Sequence, residues 1–135
     1  RADRARDLPH RPVLVQGGEP VPFPDFMFQY REAATFPWVS QAEWLYTQMV
    51  RWDGSAIDPA DAARAARVFR PDVYRGALLG TGEPLPGASS KVEGSLGQAT
   101  AVSTQQGTMT LESNRFFDGR MFDPADLAGY LASLP

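Results

Sequence analysis

Cysteine is absent from this 135-residue chain, and histidine and lysine occur once each, at His10 and Lys91. Each scarcity removes a class of function. Without thiols there is no disulfide framework and no thiolate metal site, although this does not decide the compartment. A single imidazole in a polar leader excludes a His-based acid–base pair and a His metal cluster. No apolar run reaches the ~18 residues that a membrane span needs. The net charge of −3 argues against a nucleic-acid surface. Residues 1–12 carry +2 (Arg1, Arg4, Arg6 and Arg11 against Asp3 and Asp7), so the remainder stands at −5.

Catalytic motifs are missing too. No serine lies in a nucleophile elbow with a base at hand. Gly80 and Gly82 have the Gly-x-Gly spacing, but neither a third glycine nor a helix follows, so no phosphate cradle is read there. We therefore expect no catalytic residue, no metal and no cofactor.

The apolar fraction of 43% and the charged fraction of 21% are those of an ordinary soluble globular protein. The length suits one domain rather than two. Twelve glycines and twelve prolines imply much irregular backbone. Residues 1–25 read as a polar, extended leader, and residues 26–135 as the body of the domain. A chain that opens on Arg1 rather than Met is expected to have lost its start to processing or truncation. Val13-Leu14-Val15 reads as a short strand, as do Phe26, Phe28 and Tyr30 with their alternating neighbours.

After Pro37, Ser40 and Glu43 have the Ser-x-x-Glu spacing of a capping box. A helix of about 40–52 is expected, with Leu45, Met49 and Trp52 as its inward stripe. Trp44, Tyr46 and Val50 point elsewhere and leave no clean polar face, so this helix needs a cover beyond its own domain. Asp-Pro-Ala-Asp occurs at 58–61 and again at 123–126. Paired acids invite a metal or acid–base reading. Capping is preferred: Asp58 and Asp123 at the N-cap, Pro59 and Pro124 at the first helical position, Asp61 and Asp126 in the first turn.

The first repeat opens a helix of about 59–69, with Ala62, Ala65, Ala66 and Phe69 inward and Arg64 and Arg67 outward. A second helix is expected over 71–79, with Tyr74, Ala77 and Leu78 inward and Gly80 as its stop. The second repeat opens the terminal helix, striped by Leu127, Tyr130, Leu131 and Leu134. Between them, residues 80–107 lack periodicity and read as a functional or wrapping loop. A brief strand follows at 108–111, then a turn at 116–120.

Lys91, flanked by Ser89 and Ser90, is the one candidate anion ligand, with Ser90 as a neighbouring donor. The blander reading is a loop lysine beside Glu93, and it is preferred because lysine is rarely buried unless paired. Trp38, Trp44 and Trp52 have the area to stack on a planar ligand, but near-helical spacing assigns them to a core.

Taken in order, five segments resemble a family. They are Phe36-Pro37-Trp38 through Gln48-Met49-Val50-Arg51-Trp52; Val68-Phe69-Arg70-Pro71-Asp72-Val73-Tyr74-Arg75; Ser90-Lys91-Val92-Glu93-Gly94; Phe116-Phe117-Asp118-Gly119-Arg120; and Phe122-Asp123-Pro124. Together, over about residues 28–134, they resemble the C-terminal part of the nitrate/bicarbonate solute-binding proteins of ABC transporters and the related cytosolic nitrate/nitrite sensors. The resemblance implies an α/β, type II periplasmic-binding-protein fold, of which this chain is a mostly helical C-terminal fragment: residues 1–25 would be the remnant of an upstream lobe and residues 26–135 the C-terminal helical part of a solute-binding domain.

It further implies binding of a small oxyanion (nitrate, nitrite or bicarbonate) with an ABC-transporter permease as partner, in the periplasm or cell envelope. The sensor alternative implies a cytoplasmic protein that controls an RNA-binding antiterminator, without touching nucleic acid itself; the Ser90–Gly94 loop leans that way. The main pocket would lie upstream. Two positions depart from the family: Val39, where a basic residue is usual, and Asp53, which displaces the glycine expected after Trp52.

Overall fold

The computed structural model describes residues 12–13, 21–22 and 31–135. His10, most of the leader and the Phe26–Tyr30 strand lie outside the described residues. Strands β1 (Pro12–Val13) and β2 (Val21–Pro22) pair antiparallel, so the first short strand begins one residue earlier than its apolar run. Four helices follow: α1 (Val39–Asp53), α2 (Pro59–Ala66), α3 (Pro71–Leu78) and α4 (Leu127–Ser133). Strands β3 (Thr100–Val102) and β4 (Met109–Leu111) pair antiparallel between α3 and α4, with Thr100 opposite Leu111.

Local chemistry sets most helix ends. Asp58 caps α2: its Oδ1 accepts from the backbone N–H groups of Ala60 at 2.7 Å and Asp61 at 3.0 Å. Pro59 and Pro71 take the first helical positions, where a missing N–H costs nothing. Gly54 closes α1 in the left-handed region at φ 69°, its N–H returning to Arg51 and Val50 carbonyls. The Asp53–Gly54 order, a departure from the family pattern, thus still supplies a glycine C-cap.

Several local expectations are corrected. Ser40 is not an N-cap and forms no capping box with Glu43; the cap position is Trp38, with no side-chain bond to the helix. The second Asp-Pro-Ala-Asp starts its helix at the other acid. Asp126 caps α4 by accepting from Gly129 N, while Asp123 Oδ1 accepts from Ala125 N in the preceding turn. Helix α2 ends at Ala66 rather than 69, and Ala77 of α3 faces solvent.

The stripe of α1 is inverted. Leu45, Met49 and Trp52 are exposed, at 47%, 65% and 78%, whereas Ser40, Ala42, Thr47, Gln48 and Val50 are buried. Trp44 and Tyr46 are also engaged within the chain. Trp44 Nε1 donates to Tyr130 Oη at 3.0 Å, and Tyr46 Oη accepts from Asp58 N at 3.0 Å. Periodicity picked out an apolar stripe, but the chain packs on the other side of the helix, and the expectation that Trp44, Tyr46 and Val50 await a cover from outside is overturned with it.

The 80–107 segment is less loose than its composition implies. Backbone bonds from Gly87 to Ser103 and from Gln105 to Leu85 tie its start to the residues just after β3, a strand the sequence did not reveal. Arg75 holds its first half: the guanidinium donates to the carbonyls of Pro86, Gly87 and Ala88 and to Ser89 Oγ, while lying 5.0 Å over the Phe36 ring. That ring belongs to the core of Ala33, Phe36, Trp38 and Leu111, which Tyr74, Leu96, Val102 and Met109 flank. Phe36 meets both Trp38 and Tyr74 edge to face, at 4.8 and 5.6 Å. Among the described residues no helix is long and apolar enough to cross a membrane.

Candidate functional site

The segment around Lys91 crosses the entrance of α1, and three residue types make the crossing hold. The Val39 N–H, left free by the first helical turn, donates to Ser89 O at 2.9 Å. One residue on, Ser40 Oγ donates to Glu93 Oε1 at 2.7 Å and accepts from Lys91 N at 3.3 Å. Lys91 Nζ completes the ring by pairing with Glu93 Oε2, and it lies 5.1 Å over the Trp38 ring. Ser40 is wholly buried and Glu93 only 5% exposed, so this is a charged pair inside the protein rather than on its surface.

The far side of the clasp is backbone. Glu93 and Phe122 exchange both of their N–H···O bonds, each 2.9 Å, which fixes the chain between β4 and α4 against the loop. Phe122 is fully buried and meets Tyr130 edge to face at 5.0 Å; Tyr130 in turn holds Trp44. Gly94 is required at the next position. Its φ is 81°, and a Cβ there would stand 2.6 Å from Arg120 O.

Lys91 is accordingly placed as the blander reading has it, beside Glu93. Its charge is already matched and its ammonium already faces a ring, so it is not a free anion ligand. Ser90 Oγ is buried and has no hydrogen-bond partner among the described residues, as is also true of Asn114 Nδ2. Such an orphan hydroxyl costs about 1–3 kcal/mol. Lys91 and Ser90 do not converge on a common acceptor position.

A cleft of about 300 Å³ opens next to the clasp, lined by Gln41, Trp44, Leu45, Phe69, Glu93 and Phe116. Trp44 and Phe116 rings meet at 5.8 Å, tilted by 41°. Sequence reading missed this grouping. Nothing local announces it, because Ser40 and Glu93 are 53 residues apart and Phe69 and Phe116 arrive from different elements. The tryptophans separate: Trp38 is core, Trp44 lines the cleft, and Trp52 is solvent-facing.

Three carboxyls elsewhere are perturbed. Burial pushes Glu43 above the usual range. The Arg70 guanidinium, hydrogen-bonded to Asp72, draws that carboxyl down to about 2. Asp118 is lowered by the Arg120 backbone N–H and then by its side chain, which stabilises the 116–120 turn. All three are explained by their immediate neighbours, and none is aimed at a shared reaction centre. Among the described residues no three His, Asp or Glu side chains are placed to hold a metal ion. Comparison with protein-family models, with curated proteins and with solved structures finds no match to this chain.

Proposed function

We propose that this chain is the C-terminal part of a solute-binding protein that captures a small oxyanion for an ABC transporter. The observation that carries the reading is a convergence. Four separated segments that resemble the nitrate/bicarbonate-binding family meet in one clasp: Trp38 and Ser40 from the first, Lys91 and Glu93 from the third, and Phe122 from the last, with Arg75 of the second on Ser89. Residues that build one interior must be kept together, which accounts for a resemblance that runs through the chain in order.

The exposed face of α1 supports the same reading. Beyond Gln41 and Leu45, which border the cleft, Met49 and Trp52 face outward without a charge, and Val68, Val73, Leu79, Phe117 and Met121 add further exposed apolar surface. A large apolar surface on a soluble protein marks a contact. In the proposed type II binding-protein fold, an α/β lobe built from other sequence is that contact, and the oxyanion pocket lies there rather than at Lys91. Helix N-termini and uncharged donors suffice to hold such an anion, so an acidic chain is no obstacle. The protein binds without turnover and works in the cell envelope.

The Ser90-Lys91-Val92-Glu93-Gly94 loop favours a second reading of the same fold, a cytoplasmic nitrate/nitrite sensor that releases an antiterminator protein. The coding sequence upstream of Arg1 separates the two: a secretion or lipoprotein signal makes it a transporter component, and a plain Met start makes it the sensor. Calorimetric titration of the full-length protein with nitrate, nitrite and bicarbonate tests both. Absence of heat with all three would end the oxyanion proposal.

A further inference from the structure

The cleft beside the clasp has a lining chemistry unlike that of an oxyanion site. Among the described residues its lining has three aromatic side chains (Trp44, Phe69 and Phe116), one carboxylate (Glu93) and no cation. Glu93 is 95% hidden from solvent by its surroundings and still contributes to the cleft wall. An ionised carboxylate offers about four lone-pair positions. Ser40 and Lys91 use two of them, one on each oxygen, which leaves acceptor capacity on both. The neutralising partner is drawn away from the cleft: Lys91 lies over Trp38, and neither residue belongs to the lining.

Acceptor capacity beyond what Ser40 and Lys91 fill, set among ring faces, favours a hydrogen-bond donor that carries positive charge. Aromatic faces are electron-rich and attract cations, guanidinium-like groups especially. An oxyanion would meet the carboxylate and the rings with repulsion on both counts. A metal ion would find one carboxylate and one amide, short of a coordination set. A volume of about 300 Å³ is at the small end for ligand sites.

We propose that this cleft binds a small planar organic cation, of the amidinium or aryl-amine class, seated against the Trp44, Phe69 and Phe116 rings with its N–H groups on Glu93. The site is separate from any oxyanion pocket and does not depend on that assignment. Leu45 and Gln41, both exposed, form its rim.

The test is titration of the full-length protein with benzamidine, followed by calorimetry and tryptophan fluorescence, beside benzamide and benzoate as neutral and anionic molecules of the same shape. Saturable one-to-one binding of benzamidine is expected, at least tenfold tighter than either analogue. Leu45→Arg, which closes the rim and adds a cation at an exposed position, should weaken benzamidine at least tenfold with the melting temperature unchanged. Gln41→Lys reads the same effect should the first variant fail to fold, and Leu79→Arg, remote and exposed, should bind as the parent does. The proposal is overturned if benzamidine does not saturate, if benzamide or benzoate binds as tightly, or if the rim variants bind as the parent does. Nitrate titrations bear on none of these outcomes.

Discussion

Removing either member of the Lys91–Glu93 pair should not cost the same, and the difference follows from where the two charges sit. The side chain of Glu93 is 7% exposed and that of Lys91 20%, so the acid is the more deeply held partner. Lys91→Met keeps the stem packed on Trp38 but strands a buried carboxylate with only Ser40 for company. Loss of one partner from a buried pair costs about 3–5 kcal/mol, and partial exposure of this pair puts the expectation at the lower end, about 3 kcal/mol. Glu93→Gln removes the charge but keeps an oxygen for Ser40 Oγ, and the freed ammonium reaches water by rotating its stem. About 1–2 kcal/mol is expected there, the size of one charge-assisted hydrogen bond.

Urea unfolding, monitored by tryptophan fluorescence and far-UV circular dichroism together, measures both. The midpoint should shift with the slope unchanged. Against a domain stability of about 5–15 kcal/mol, the Lys91→Met loss is large enough to read without ambiguity. The double variant Lys91→Met/Glu93→Gln should recover part of the loss, because it removes the stranded charge as well. Equal losses for the two single variants, or a double variant that simply adds them, would refute the claim that the pair acts as a buried, coupled unit.

Four further outcomes are expected. Gly94→Ala should cost about 2–4 kcal/mol in urea unfolding, since the new Cβ meets Arg120 O at 2.6 Å in a left-handed backbone; Gly54→Ala, left-handed but in open space, should cost only about 1 kcal/mol. Asp58→Ala should lose about 1 kcal/mol of stability by freeing two N–H groups of α2, measured by the same titration. Asp72 is held at about 2 by Arg70, below an unfolded value of about 3.9, so its contribution is present above pH 4 and fades as pH falls to 2. The stability gap between the parent and Asp72→Asn should therefore shrink over that window in acid titrations, by a small amount because the pair is exposed. Trp52→Lys should change the stability of this chain by less than about 0.5 kcal/mol while reducing its binding of apolar dyes; in the full-length protein the same substitution should lower the melting temperature if a lobe covers it.

Features that depend on a few adjacent residues were legible without a fold. Asp58 before Pro59, Pro71 at a helix start and the turn at Phe116–Arg120 follow from backbone groups that need partners within three or four positions. The pairing of Lys91 with Glu93 is of the same kind, two residues apart. Even among local signals a choice between equals was lost: Asp123 and Asp126 both suit a cap, and α4 begins at its cap Asp126, whose Oδ1 accepts from Gly129 N.

The orientation of α1 needed the whole chain. Its sequence offers one apolar stripe, Leu45–Met49–Trp52, and one of smaller and more polar residues, Ser40, Ala42, Thr47 and Val50; a hydrophobic count prefers the first. The second is buried because each of its polar groups has a specific partner. Ser40 binds Glu93 across 53 positions, and Thr47 Oγ1 returns to Trp44 O at 2.7 Å. A satisfied hydroxyl loses little on burial, whereas the identity of its partner is invisible to periodicity. The cleft is hidden for the same reason, its carboxylate and rings being assembled from α1, the segment after α2, the Lys91 loop and the turn at Phe116. Sequence by itself determined the starts of α2 at Pro59 and α3 at Pro71, because near neighbours settle them; tertiary structure alone decided which face of α1 is inside and which side chains share a site, because those are settled by partners tens of residues away.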